Sequence, residues 1–196
     1  MKQRWTTAAV LLLLLCILAW PGMAQEETGF GGTKEWITVR GMQWTMSRDA
    51  VILIEERRDA GFAPVTQREG YEIWTAGAQV LGKEATWVYH FAQGVLAQAD
   101  LQFSFPLDQT QAADEMIAAL RQELSALYGE PYADEGKASV TEDDAQGYVE
   151  ACRWGDGWTT FEQGASFLDS DLTLMFDMRQ NDILVTVSAS GGVYTY

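Results

Sequence analysis

Val95-Leu96-Ala97-Gln98-Ala99-Asp100-Leu101-Gln102-Phe103-Ser104-Phe105 alternates for eleven residues before Pro106. Val95, Ala97, Ala99, Leu101, Phe103 and Phe105 share one parity. Leu96, Gln98, Asp100, Gln102 and Ser104 share the other. A period of two with one apolar side predicts a half-buried antiparallel strand, which Pro106 ends. Upstream, Gln93-Gly94 makes a turn, and Thr86-Trp87-Val88-Tyr89-His90-Phe91 groups Trp87, Tyr89 and Phe91 on one side. His90 takes the opposite parity and reads as a rim histidine, with no Asp or Asn spacing that suggests a catalytic dyad. Tyr71–Thr75 predicts another strand, with Tyr71, Ile73 and Thr75 on one face.

Further upstream, Ser47 is an N-cap and Asp49 puts a negative charge in the first turn, so a helix is expected over 48–60, stopped by Gly61. Val51, Ile54 and Arg58 fall on one side of it. Glu55-Glu56-Arg57-Arg58 reads as a solvated polar face. Trp36–Val39 is a short apolar entry segment, and residues 25–32 are polar and loose. Downstream, Met116, Leu120, Leu124 and Leu127 recur at steps of three and four, predicting a helix over 111–128 capped by Thr110 or Asp108. Tyr128-Gly129-Glu130-Pro131 terminates it. Residues 133–147 are acidic and read as irregular. Strands follow at Tyr148–Trp154, at Trp158–Phe161, at Leu172–Met178 and from Ile183 to Val187.

A helix followed by several strands thus occurs twice, in units at 36–107 and 108–196. The expected class is α+β, with helices on one face of an antiparallel sheet, because neither unit can bury a helix stripe and a sheet face separately. The opposite sheet face is then either solvated or a binding surface.

The chain has 196 residues, 13 basic against 28 acidic, and a formal charge of −15. A surface so acidic argues against nucleic-acid binding and against polybasic attachment to anionic lipid, because both need cations facing phosphates. Lys2 and Arg4 precede the apolar run 8–20, and Gly22-Met23-Ala24 supplies small residues for cleavage after Ala24. Residues 1–24 therefore read as a signal peptide, followed by a flexible segment at 25–35. The run is shorter than the roughly 20 residues needed to cross a bilayer, so no membrane insertion is expected after cleavage. A secreted or extracytoplasmic protein results. Cleavage removes Cys16, leaving Cys152 as a buried structural thiol with no intrachain disulfide partner.

One histidine cannot make a multi-imidazole zinc site, no phosphate loop has the required strand–helix context, and no nucleophile elbow is present. No cofactor, metal or catalytic residue is expected. The acids of 133–147 lack the spacing of a defined calcium loop. Six tryptophans remain after cleavage: Trp36, Trp44, Trp74, Trp87, Trp154 and Trp158. They either fill the helix–sheet core or form a partner-binding face, for which Trp154 and Trp158, flanking Gly155-Asp156-Gly157, and Trp74 are the candidates.

Gly41-Met42-Gln43-Trp44-Thr45-Met46-Ser47 with Asp49-Ala50-Val51 resembles the G-x-x-W-G-x-S, D/E-x-V opening of small exported modules from Gram-positive gut bacteria, with Thr45 in place of the usual Gly. Ala76-Gly77, Tyr89-x-Phe91, Gln93-Gly94, Leu96 and Leu124-x-x-x-Tyr128-Gly129-x-Pro131 extend the resemblance over about residues 36–190. Those modules, mostly of unknown function, are similar in architecture to the beta-lactamase inhibitor protein and BamE. The resemblance implies a concave sheet presented to a protein partner. The inhibitor's paired disulfides and a placed lipidation cysteine are both absent here. The leading expectation is an exported, non-enzymatic module binding an unidentified protein or envelope component through its sheet face. The alternatives are a carboxylate-dependent hydrolase of an envelope polymer and a structural envelope protein.

Overall fold

Alternation, two helix stripes and tight glycine turns build a two-layer α+β structure. The computed structural model describes residues 28–33, 36–58, 60–142, 145–155, 166–178 and 182–195. Chain order is β1 Phe30–Thr33, β2 Trp36–Val39, α1 Arg48–Glu56, β3 Ala63–Arg68, β4 Tyr71–Val80, β5 Lys83–Ala92, β6 Val95–Pro106, a 3-10 turn Leu107–Gln109, α2 Thr110–Tyr128, β7 Ala133–Glu142, β8 Ala145–Gly155, β9 Ser166–Met178 and β10 Asp182–Thr195. Eight antiparallel strands lie in the order β3-β4-β5-β6-β10-β9-β8-β7, and β1-β2 form a separate pair. Two four-strand meanders therefore meet where β6 pairs β10.

The helix side of the sheet is the core. One row runs Trp87, Leu101, Val187, Leu174, Cys152 across five strands, and all five are buried. Burying each large apolar side chain contributes roughly 1.5–3 kcal/mol. The buried Cys152 thiol lies with its Sγ 3.7 Å from Asp134 Oδ1. Helix α2 turns Ala113, Met116, Leu120, Leu124 and Tyr128 inward. The Tyr128 hydroxyl donates to Gly31 O at 2.8 Å, which ties the end of α2 to β1. Burial pushes this phenol's pKa above its ordinary value.

Several elements differ from expectation. Residues 25–32 were expected to be loose, yet Phe30 lies in β1, buried, with its ring 5.1 Å from that of Trp87. Helix α1 stops at Glu56 rather than 60. Arg58 folds back, its Nη2 donating to Arg40 O, and Ala60 O already accepts from Gly77 N of β4. Ser47 caps α1 as expected, accepting from Ala50 N. No side chain caps α2. Thr110 Oγ1 donates instead to Leu107 O within the 3-10 turn.

The acidic stretch expected to be irregular forms β7, paired with β8 from Ala133 to Glu142. The unexpected β3 carries Pro64. Both are edge strands, and both contain register shifts, at Pro64/Thr66 and Asp134/Gly136. Proline, charge and bulges are tolerated at an edge because one side of the backbone needs no partner, and they discourage edge-to-edge association. Thr45 holds a left-handed φ of 68°. A β-branched residue adopts that conformation only under strain.

The alternation in β6 is broken once. Its register with β5 pairs Phe91 with Leu96 but His90 with Gln98, so Ala97 is an extra residue. Ala99, Leu101, Phe103 and Phe105 are buried as expected, but Leu96 replaces Val95 on the core face.

Candidate functional site

The Ala97 bulge decides what the uncovered face carries. The two-residue Gln93-Gly94 turn has φ values of 52° and 77°, as a tight hairpin requires. If Ala97 were paired instead of bulged, the same turn would set Trp87 opposite Asp100 and His90 on the side of Leu101. One inserted residue reverses every parity beyond it. Trp87 then meets Leu101 on the core side, while His90 and Asp100 share the open face.

There, side chains from β4, β5, β6 and β10 form a chain of hydrogen bonds. Tyr71 Oη lies 2.6 Å from His90 Nδ1, and His90 Nε2 lies 2.9 Å from Asp100 Oδ2. Asp100 Oδ1 accepts from Gln98 Nε2 at 2.9 Å and from Ser188 Oγ at 2.7 Å. Asp100 is 7% exposed. Burial works to raise its carboxyl pKa. Hydrogen bonds from His90, Gln98 and Ser188, together with the charge of His90, outweigh burial and hold the pKa below the ordinary value. An ionised Asp100 only accepts, so His90 Nε2 bears hydrogen. In the neutral ring Nδ1 then accepts from the Tyr71 hydroxyl, and in the charged ring it donates to the Tyr71 oxygen. Tyr71 is 40% exposed. Its oxygen is therefore the solvent-facing end of the chain.

Beside this chain lies a groove of about 840 Å³. Thr75, Thr86, Val88, Gln102, Ser104 and Leu184 line it, all with open-face parity. Glu84 and Arg58 are the charged residues of the described lining. The surface is thus one of hydroxyls, amides and small apolar side chains.

Neither Trp154 nor Trp74 is on this face. Trp154 is 1% exposed, and its indole N–H donates to Gly129 O at 2.9 Å. It fills the core and caps the turn after α2, so it is corrected from contact residue to core. Trp74 is half-buried on the helix side, opposite Tyr89. Its ring stacks on Phe62 at 5.0 Å, and its N–H donates to Glu72 Oε2. That N–H, opposed by burial and aided by Arg48, holds the Glu72 carboxyl below its ordinary pKa. Trp158 lies outside the described residues.

The second buried carboxylate is Glu55, at 0% exposure and on the helix side. Its Oε1 accepts from Tyr89 Oη at 3.0 Å and Arg58 Nη1 at 2.9 Å, and Arg40 Nε lies at 3.3 Å. The expected solvated face of α1 is therefore corrected. Glu55 turns inward while Leu53 is 57% exposed. Sequence reasoning missed the His90–Asp100 pair as well. The detectable signal was the conflict between the tight turn and the two apolar faces, which only a bulge resolves.

Among the described residues, no three His, Cys, Asp or Glu side chains are grouped to hold a metal, and no helix is long and apolar enough to cross a membrane. No family model matches the chain, and neither a curated protein nor a solved structure matches it.

Proposed function

We propose that the chain is an exported, non-enzymatic binding module that recognises a protein or cell-envelope component through the open face of its sheet. The carrying observation is the preorganised Tyr71–His90–Asp100–Ser188 chain beside a polar groove of about 840 Å³. Fixed hydrogen-bonding groups on rigid strands bind at low ordering cost. A lining mainly of hydroxyl, amide and small apolar groups suits a partner rich in hydroxyl or amide groups. The signal-like residues 1–24 support export. The repeated helix-then-meander order supports the finer reading of two related units in the manner of the beta-lactamase inhibitor protein.

The two described buried carboxylates, Glu55 and Asp100, contact Tyr89 and His90, adjacent residues on opposite faces of β5. They cannot flank one scissile bond, which favours binding over paired-carboxylate hydrolysis. The test places a photo-crosslinking amino acid at Thr86 on the open face or at Leu53 on α1, and exposes both proteins to intact producer cells. Crosslinking to surface material from Thr86 alone, abolished by Gln102→Arg, is the expected result. Equal labelling from Leu53, or none from Thr86, rejects the reading.

A further inference from the structure

A second cavity, of about 580 Å³, opens where β4 outruns β3. Thr28, Thr38, Arg40, Arg58, Gln79 and Trp87 contribute to its walls. Arg40 sits in the Arg40-Gly41 turn with φ 51°, and its backbone N–H donates to Gly29 O. Its guanidinium lies over the Trp87 ring, 5.9 Å from the centroid. Arg58 is fixed from two sides, to Glu55 Oε1 and to Arg40 O.

Among the described residues, two guanidinium groups share one carboxylate, so the wall keeps one excess positive charge in a chain of net −15. Arg40 Nη1 is also buried with no hydrogen-bond partner among them. A buried, charged donor without an acceptor is a costly arrangement unless something arrives to accept from it. Its planar fork suits a carboxylate, and threonine hydroxyls and the Gln79 amide stand ready beside it.

We propose that this cavity is a carboxylate-binding site with Arg40 as the principal anchor. A single excess charge selects a monoanion. Two sources offer that chemistry: a free ligand, such as a small organic acid or a peptide C-terminus, and Glu26 or Glu27, which precede Thr28 in this chain. The site is independent of the open-face reading, although Arg58 and Gln79 border both cavities. Its test therefore uses Arg40 and Thr38, which line this cavity alone.

The probes are acetate and N-acetyl-trialanine, the peptide as free acid and as C-terminal amide, titrated at low ionic strength against residues 25–196 and followed by calorimetry and melting temperature. The free acid is expected to bind saturably and to raise the melting temperature, with the amide at least about tenfold weaker. Binding of acetate with the same preference identifies a small organic acid as sufficient, and binding of the peptide alone identifies a C-terminus. Binding that emerges only in the Glu26→Gln, Glu27→Gln variant identifies the chain's own carboxylates as the occupant. Arg40→Lys keeps the charge but loses the fork, and is expected to abolish the preference for acid over amide. Thr38→Val, which leaves the Arg40–Glu55 pair untouched, is expected to weaken binding a few-fold. Equal affinity for acid and amide, or no binding by either the wild type or the double variant, overturns the proposal.

Discussion

Tyr89 and His90 are consecutive residues of β5, and each is hydrogen-bonded to a buried carboxylate, yet the two surroundings differ in kind. Behind Tyr89, Glu55 has no contact with solvent and collects its hydrogen bonds on one oxygen, while Oε2 has no partner. In front of His90, Asp100 has both oxygens engaged, and its chain of partners ends at the exposed Tyr71. The first arrangement locks α1 and the Arg40 turn to the sheet. The second prepares a surface. Adjacent positions on one strand can serve these separate purposes because the pleat sends them to opposite faces.

Inserting one alanine after Ala97 breaks the comparison most completely. If the bulge still takes up one residue, Asp100 falls opposite Trp87, and Leu101, Phe103 and Phe105 face solvent. The expected loss is on the scale of a whole domain's stability, ~5–15 kcal/mol. Chemical-shift dispersion and a cooperative urea transition should both vanish. A folded insertion variant would show that the bulge does not set the faces. Deleting Ala97 instead keeps Gln98 opposite His90, so the faces should be retained. Next is Glu55→Gln, which leaves Arg40 with a neutral partner in the interior. A loss of about 3 kcal/mol in urea unfolding is expected, because removing one member of a buried pair strands the other.

Asp100→Asn should cost less, about 2 kcal/mol, because Gln98, Ser188 and His90 lie nearer solvent and can turn to water. This variant also carries a pH signature. The folded pKa of Asp100 is depressed below 3.8. Its contribution is therefore fully present above the unfolded value and is lost as pH falls through the folded one. The stability gap between wild type and Asp100→Asn should be level above pH 5 and should close as the acid is titrated. A gap that widens on acidification would contradict the depressed pKa.

The sheet and α2 were legible because they rest on long periodic signals. The alternation from Ala99 to Phe105 and the stripe from Met116 to Leu124 each outlast any local exception. Glu55 was not legible. In a helix of only nine residues, pattern does not distinguish which of Leu53 and Glu55 faces inward, and the deciding cations, Arg40 and Arg58, lie outside the helix. Trp154 misled because a ring beside a tight turn reads as exposed, whereas the left-handed Gly129 exit brings a carbonyl to its N–H. The His90–Asp100 pair was legible in principle. Counting register outward from Gln93-Gly94 sets Tyr89 against Gln98 and Trp87 against Asp100, and a bulge that takes up one residue is the remedy. The alternation of β6 was read without that count, so Val95 was assigned to the core in place of Leu96.

The two tyrosines permit the finest form of the comparison, since the same atom is deleted on each face. Tyr89→Phe removes one donor from Glu55 in an interior where water does not replace it. A loss of about 1.5 kcal/mol is expected. Burial and the nearby Glu55 charge push the Tyr89 phenol well above its ordinary pKa of 10, so it should not ionise in alkaline titration until the protein unfolds. Tyr71→Phe removes the hydrogen bond to His90 from a residue 40% exposed, where water can take its place. Its loss should be under about 0.5 kcal/mol, at the edge of what urea unfolding resolves. Its binding phenotype should nonetheless exceed its stability phenotype, because the phenol oxygen is the solvent-facing end of the chain. Thr86 crosslinking of the Tyr71→Phe protein reads that difference directly. A variant as labelled as wild type, but destabilised as much as Tyr89→Phe, would make the open-face chain a second structural lock.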